Sequence, residues 1–176
     1  MNLTYLNNTI LPHEQKVVIL PRQDFEVAEY FAGIGLVRLG LEIAGWKVVF
    51  ANDYAIEKYK MYHAFFNDFQ DHYVIENIFN LNPNIIPKTL LATASFPCID
   101  LSLAGKQNGI NGTYSSAFWG FIEILKKQDN EKPKLVLLEN VNGWLTSNNG
   151  DDFRLTIKAL NSLGYACDVI SLDAIR

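Results

Sequence analysis

The stretch Val27-Ala-Glu-Tyr-Phe-Ala-Gly-Ile-Gly35 decides the fold. Its first five residues are typical of a β-strand, and they run directly into a turn that contains two glycines. Apolar residues then recur at helical spacing from Leu36 to Ile43, and Gly45 follows where a helix would end. A strand that passes through a glycine turn into a helix is the usual opening of a parallel α/β sheet.

Strand and helix patterns alternate along the rest of the chain. The predicted strands cover residues 47–51, 73–75, 90–94, 135–138 and 165–172, and helical faces fall at 55–66, 118–125 and 153–160. The run Leu135–Leu138 is apolar without alternation, which is typical of a strand covered on both faces. This order predicts βαβ units, a mostly parallel sheet and helices on both faces. We therefore expect ligand-binding residues at the carboxyl ends of the strands.

Length and composition indicate one globular domain. The chain has 176 residues, of which 49% are apolar, and this is enough to form a core. Its formal net charge of −4 excludes a strongly basic body that would hold nucleic acid by bulk charge alone. The two cysteines cannot form a disulfide framework or a four-cysteine zinc site. We expect residues 1–24 to be an N-terminal extension and residues 25–176 to be the domain.

The sequence shows no pattern for export or for membrane insertion. The chain begins with Met1-Asn-Leu-Thr4, which lacks the charged and apolar segments of a secretory signal. The longest apolar runs are far shorter than the stretch of about 20 residues that crosses a bilayer. We therefore expect a cytoplasmic protein without a membrane partner.

The glycine turn and Asp53 together predict a nucleoside-binding site. Gly33 and Gly35 would let the backbone approach a ligand at the electropositive start of a helix. A dinucleotide fingerprint needs a third glycine where this chain has Arg38, so a pyrophosphate is disfavoured. Asp53 ends the second strand about 20 residues after the turn, where a carboxylate can accept hydrogen bonds from ribose hydroxyls. The alternatives are a tight turn without a ligand and a carboxylate that only caps the next helix.

Cys98 is the candidate nucleophile. It follows Pro97 just beyond the fourth strand, and a polar loop of about 17 residues begins after it. A thiol has a pKa of about 8.5, so a helix N-terminus or a cation would have to lower that pKa to form the thiolate. The alternative is a small buried apolar residue, which is our interpretation of Cys167 in the last predicted strand. Within the loop, Lys106 stands between two glycines and either contacts a phosphate or is solvated.

Glu139 is the candidate proton donor. It follows four apolar residues, so we expect its carboxyl group to be buried and its pKa to be raised. Such a group can give a proton to a heteroatom of a substrate. The alternative is a carboxylate that accepts hydrogen bonds from a loop backbone. Because Cys98 and Glu139 follow different strands of a parallel sheet, we expect both at the same edge.

In these residues the chain resembles the N-terminal part of the DNA cytosine-5 methyltransferases of bacterial restriction–modification systems. The similarity extends over about residues 25–173. The matching segments are, in chain order, Phe31-Ala-Gly-Ile-Gly35, Asn52-Asp-Tyr54, Asn77-Ile78, Phe96-Pro-Cys98, Ser102, Gly105-Lys-Gln107 and Glu139-Asn-Val141. Four positions depart from the family pattern: Glu29 replaces a usual Asp, Leu36 replaces a glycine, Asn77 replaces the usual Asp, and Ile99 replaces a common Gln.

The resemblance implies a three-layer, Rossmann-like, S-adenosylmethionine-dependent methyltransferase fold that acts on double-stranded DNA. The cofactor residues that it implies are Phe31, Gly33, Gly35, Asp53, Tyr54, Asn77, Ile78 and Pro97. The residues that it implies near the DNA and the target base are Ser102, Lys106, Gln107 and Asn140. It assigns catalysis to Cys98, whose thiolate attacks C6 of a cytosine flipped out of the duplex, and to Glu139. The Glu139 carboxyl holds N3 and the exocyclic amine and supplies a proton, and C5 then accepts the methyl group.

The family continues past the position of Arg176 with a Gln-x-Arg-x-Arg motif, a target-recognition region and a final helix. The resemblance therefore implies a sheet that is incomplete on its C-terminal side, with either an open edge at Leu135–Leu138 or a last strand that pairs elsewhere. An open edge predicts either a second polypeptide that carries the target-recognition region or a truncated product. A non-catalytic cofactor-binding subunit and the tRNA-modifying branch of the family are alternative interpretations. A nucleotide-dependent oxidoreductase is disfavoured because the third glycine is absent.

Overall fold

The computed structural model describes residues 25–67, 72–97 and 117–173 of the chain. In these residues five parallel strands form one sheet in the order β3-β2-β1-β4-β5. The strands are β1 (Glu26–Tyr30), β2 (Lys47–Asp53), β3 (Tyr73–Ile75), β4 (Leu91–Ala94) and β5 (Leu135–Leu138). All five were expected from the sequence. Phe31, predicted to end β1, instead starts the turn, because its φ of 56° lies in the left-handed region.

Helices pack on both faces of the sheet, as the sequence predicts. Their bounds are α1 (Leu36–Ile43), α2 (Ile56–Phe66), α3 (Ala117–Gln128), the short α4 (Gly143–Thr146) and α5 (Asp151–Ser162). The alternating residues of β1 point to opposite faces: Val27 packs in a cluster with α1 and α2, and Ala28 packs with α3 and α5. The result is a three-layer, Rossmann-like fold. None of the helices in the described ranges has the length and apolar character needed to cross a bilayer.

The centre of the sheet contains a topological switch point. Strand β1 pairs with β2 on one side and with β4 on the other. The chain therefore continues from β1 toward one edge of the sheet and from β4 toward the opposite edge. The loops after β1 and β4 therefore diverge and leave a crevice at the carboxyl edge of the sheet, where ligands bind in open α/β folds. The glycine turn follows β1 and the segment Ser95–Pro97 follows β4, so both border this crevice.

The strand predicted at residues 165–172 does not form. Residues 165–173 have no regular structure, and Val169, Ile170 and Leu172 are half to mostly exposed. A strand needs a neighbour for its backbone hydrogen bonds, and this segment pairs with no strand in the described part of the chain. It is anchored at its start by the Tyr165 hydroxyl, which donates to the Pro133 carbonyl oxygen at 2.6 Å. Cys167, predicted to be in the core, is exposed.

Strand β5 is covered on one face only, so the prediction of cover on both faces is wrong. Val136 and Leu138 pack against the core beside α3 and α5. Leu135 and Leu137, which point to the side of α1 and α2, are 48% and 50% exposed. Helix α1 also turns apolar side chains outward on that side, with Leu36 71% and Ile43 81% exposed. We call these four residues the apolar face. In the described part of the chain, no strand pairs with the outer edge of β5.

Candidate active site

The glycine turn brings β1, α1 and α2 close together. Gly35 has a φ of 88°, and a Cβ atom there would lie 2.4 Å from Cε2 of Phe66 and 2.9 Å from Cδ2 of Tyr62. Gly33 also has a positive φ, of 57°, but its nearest neighbour would be the Phe31 carbonyl oxygen at 3.9 Å. The two glycines therefore have different tasks. Gly35 permits close packing on α2, and Gly33 leaves open space beside the crevice.

Asp53 lies at the end of β2 with its side chain only 2% exposed. Its Oδ2 accepts hydrogen bonds from the Gly33 backbone N–H and from Lys58 Nζ, both at 3.1 Å. Its Oδ1 accepts from the Ala55 N–H at 3.1 Å. A carboxylate has about four acceptor positions, so one position on Oδ1 has no partner among the described residues. Asp53 thus fixes the glycine turn against the start of α2, and its Oδ1 keeps one unpaired acceptor position.

The other residues predicted to hold the adenosine lie after β2 and β3. Tyr54 is 64% exposed beside Asp53. The Asn77 side chain is exposed, and its Oδ1 accepts from the Phe79 N–H at 3.1 Å. Asn52 joins the two strand ends, because its Nδ2 donates to the carbonyl oxygens of Val74 and Glu76. The structure places the Ile78 side chain in the core, so it faces α3 and not the surface.

The ends of β4 and β5 are fastened to each other. The Glu139 N–H donates to the Ala94 carbonyl oxygen at 3.2 Å, and Asn140 Nδ2 donates to the Phe96 carbonyl oxygen at 3.1 Å. Phe96 is buried, and its ring packs against Phe118 and Trp144. Pro97 therefore leaves the sheet next to Glu139. The predicted residues Cys98, Ser102, Lys106 and Gln107 lie outside the described residues.

Glu139 is exposed, so the prediction of a buried carboxyl group is wrong. It follows an edge strand whose α1 and α2 side is uncovered, and four apolar neighbours in sequence do not bury it. The described sheet buries two acidic groups, Asp53 at the end of β2 and Glu29, the fourth residue of β1. Oε1 of Glu29 accepts from the Arg38 N–H at 3.2 Å in the first turns of α1, and Oε2 has no partner among the described residues.

Burial raises the pKa of Glu29 to about 7, against the lowering effect of the Arg38 N–H and guanidinium. A carboxyl group with a raised native pKa stabilises the fold fully below its ordinary pKa of 4.5, and that contribution is lost as the pH rises through 7. The free energy of unfolding of the wild type should fall by about 3 kcal/mol relative to Glu29→Gln over this interval. Urea titrations of both proteins at several pH values measure this difference, and parallel pH profiles would contradict it.

A cavity of about 500 Å³ opens at the switch point. This volume lies within the range of small-molecule sites. The residues that line it come from the glycine turn, from α1 and α2, and from the ends of β4 and β5; they are Phe31, Ala32, Gly33, Ile34, Leu36, Val37, Lys58, Ser95 and Glu139. The cavity thus joins the predicted cofactor turn to the predicted proton donor. Lys58 and Ser95 were not predicted, because a lysine on a helix is usually solvated and a serine after a strand is common.

The sheet order, the crevice beside the glycine turn and the acidic residue at the end of β2 define a Rossmann-like α/β domain with a site for a nucleoside. The fold is similar to the crystal structure of the Dnmt2 methyltransferase from S. pombe, with a TM-score of 0.57 and 23% identity over 76% of this chain and 41% of that chain. It is also similar to a mutant of DNMT2 from Spodoptera frugiperda, with a TM-score of 0.56, 25% identity and coverage of 77% and 41%.

The chain belongs to the C-5 cytosine-specific DNA methylase family, which matches residues 25–176. It is 37% identical to the type II methyltransferase M.HaeII of Haemophilus aegyptius over 81% of this chain and 43% of that protein. It is 36% identical to the type II methyltransferase M.BsuFI of Bacillus subtilis over 83% of this chain and 34% of that protein. The chain therefore spans less than half the length of these curated relatives.

Proposed function

We propose that this chain is the catalytic part of an enzyme that transfers a methyl group to C5 of cytosine in DNA, as part of a cytoplasmic restriction–modification system. The observation that supports the proposal is that hydrogen bonds join the carboxyl ends of β4 and β5. Asn140 fastens the segment that leads to Cys98 beside Glu139, and Glu139 lines the cavity that also contains the glycine turn. A nucleophile and an acid from different strands can face one pyrimidine ring only where their strand ends lie together.

The cavity fits a nucleoside with an attached amino acid. Gly33 leaves space beside the turn, and Asp53 Oδ1 keeps an acceptor position for a ribose hydroxyl. We propose that Phe31, Gly33, Gly35, Asp53, Tyr54, Asn77 and Pro97 surround S-adenosylmethionine, with Ile78 supporting the site from the core. When bound, this cofactor supplies the electrophilic methyl group that C5 receives.

The chain's own residues account for the activation of the base. In the proposed mechanism, the Cys98 thiolate adds to C6 of a flipped cytosine, which turns C5 into a nucleophile. Glu139 gives a proton to N3, so that negative charge does not accumulate on the ring. After methylation, the C5 proton leaves to solvent, the Cys98 thiolate is expelled from C6, and N3 returns its proton to the Glu139 carboxylate, so that the aromatic ring and both side chains are restored. We propose that Ser102, Lys106, Gln107 and Asn140 position the loop and the base around this reaction.

We propose in addition that a second polypeptide, which carries the target-recognition region, completes the enzyme. The apolar face is uncovered next to the cavity, because Leu36 belongs to both surfaces. The net charge of −4 leaves DNA attraction to a different region. A mostly apolar surface at an open sheet edge is the kind of surface that another chain covers.

The decisive experiment uses labelled S-adenosylmethionine and DNA that contains 5-fluorocytosine, in which the fluorine cannot leave as a proton does. The chain is incubated alone and with the product of any adjacent reading frame, and size-exclusion chromatography detects a complex. A covalent DNA adduct that Cys98→Ser abolishes is the expected result. Binding of the cofactor without an adduct in either preparation would identify a non-catalytic subunit instead. A monomer that methylates DNA unaided would exclude the second polypeptide.

A further inference from the structure

We infer that Lys58 is a cofactor-binding residue that holds the carboxylate of the amino-acid part of S-adenosylmethionine. The inference rests on the proposed cofactor site and deepens it, because it assigns a residue to the amino-acid part of the cofactor. None of the motif segments named in the sequence analysis includes this lysine.

Lys58 lies between the buried carboxylate of Asp53 and the open cavity. Lys58 lies in α2, five residues after Asp53, and its Nζ donates to Asp53 Oδ2 at 3.1 Å. Its side chain is 46% exposed, whereas that of Asp53 is 2% exposed. The lysine also lines the cavity together with Gly33 and Glu139. Its ammonium group therefore reaches the site of a ligand while it remains paired with a fixed anion.

The ammonium group has donors left for a ligand. An ammonium carries three N–H donors, and the Asp53 bond uses one of them. The other contact that the structure gives is a distant one, with the Tyr54 ring centroid 5.9 Å from Nζ. Among the described residues that line the cavity, Lys58 is the cation and Glu139 is the anion. Within this cavity, the positive Lys58 favours an anionic group of a ligand, and the negative Glu139 favours a cationic group or a hydrogen-bond donor.

The chemistry of the cofactor decides which of its groups suits this cation. The sulfonium and the amino group of S-adenosylmethionine are positive and would be repelled by an ammonium. The α-carboxylate is the anionic group of the molecule, and a charge-assisted hydrogen bond from lysine to a carboxylate is among the stronger polar contacts. The Oδ2 atom of Asp53 already accepts from both Gly33 and Lys58. A ribose hydroxyl would therefore bond to the remaining acceptor position on Oδ1, and Lys58 would stay paired with Oδ2 while its other N–H donors serve the carboxylate of the cofactor.

The test compares two ligands that differ in the amino-acid part, which carries the carboxylate. S-adenosylhomocysteine carries the amino acid, and 5′-methylthioadenosine keeps the nucleoside and the thioether without it. Calorimetry measures the affinity of the full chain for both ligands, in the wild type and in Lys58→Met, which keeps the apolar stem. We expect Lys58→Met to weaken S-adenosylhomocysteine roughly 10- to 100-fold and to leave 5′-methylthioadenosine unchanged. Lys58→Arg should restore most of the difference, and Lys60→Met, on the exposed side of the same helix, should change neither affinity.

Each other outcome overturns the inference. Equal weakening of both ligands would mean that Lys58 only positions Asp53. Equal tightening would mean that Lys58 competes with ribose for the carboxylate. Unchanged affinities in Lys58→Met would show that the ammonium contacts neither ligand. A wild type that binds neither ligand would overturn the proposed cofactor site together with this inference, whereas a wild type that binds both leaves the site standing whatever the variant does.

Discussion

Glu139→Gln is expected to lower the rate of methyl transfer roughly 10³-fold, because glutamine can hold N3 and the exocyclic amine but cannot supply a proton. The affinity for the cofactor should stay unchanged. The Glu139 carboxyl group lies at the β5 end of the cavity, and the residues proposed to hold adenosine follow β2 and β3. Single-turnover rates, measured in whichever preparation methylates DNA, separate the chemical step from binding.

Because Glu139 is exposed, a lower rate in Glu139→Gln can be assigned to catalysis and not to a loss of stability. An exposed side chain that is replaced by its amide changes the free energy of unfolding by little, so a lost rate cannot come from a lost fold. Glu123→Gln is the matched control, since this exposed carboxylate pairs with Lys126 on α3, on the other face of the sheet from α1 and α2. A Glu139→Gln enzyme that keeps the full rate of the control would remove Glu139 from the proposed mechanism.

The strands could be predicted from the sequence because each is a short apolar run with a clear end. Lys47–Asp53 stops at a polar pair, and Leu91–Ala94 stops before Ser95 and Pro97. The predicted helix face of α2 also forms, with Tyr62 buried and Phe66 half-buried beside it. These features depend on residues close together in sequence, which is why local patterns were sufficient.

The wrong predictions concern which apolar faces are covered by other elements of the fold. The local sequence carries no information about this. Leu135 and Leu137 have the same apolar character as their covered neighbours, and the stripe of α1 that includes Leu36 has the spacing of a buried face. Whether such a face is covered depends on elements that are distant in sequence. No element in the described ranges covers the apolar face. The failed strand at residues 165–172 has the same cause, since a strand pattern becomes a strand only when a partner edge is available.

The site was predicted as a set of positions but not as a set of contacts. Gly33 and Asp53 were placed after separate strands, and the structure joins them by a 3.1 Å hydrogen bond across 20 residues. Lys58 completes that contact from α2. A lysine on a helix has no sequence signal for this role, because the same letter is found on most solvated helices. The distance to Asp53 identifies it, and only the folded chain supplies that distance.

Gly35→Ala is expected to destabilise the protein by about 4 kcal/mol, the sum of the strain of a left-handed alanine and of overpacking. At a φ of 88° the new Cβ would meet Phe66 Cε2 at 2.4 Å. The ring of Phe66 cannot easily move away. Tyr62 packs on it at 4.8 Å between centroids, and the Arg38 guanidinium lies 3.9 Å over it. The clash would therefore be transmitted to the turn, which would shift away from α2.

Two glycines close to Gly35 separate the strain from the clash. Gly33→Ala shares the positive φ but meets no atom closer than 3.9 Å, so it should cost about 1 kcal/mol from backbone strain alone. Gly40→Ala, within α1 and with no atom near its Cβ, should stabilise the fold by about 0.5–1 kcal/mol. Urea titrations of the three variants measure these values. Equal losses at positions 33 and 35 would mean that α2 yields to the new methyl group, and the turn that donates to Asp53 would then be held by its backbone conformation and not by its packing.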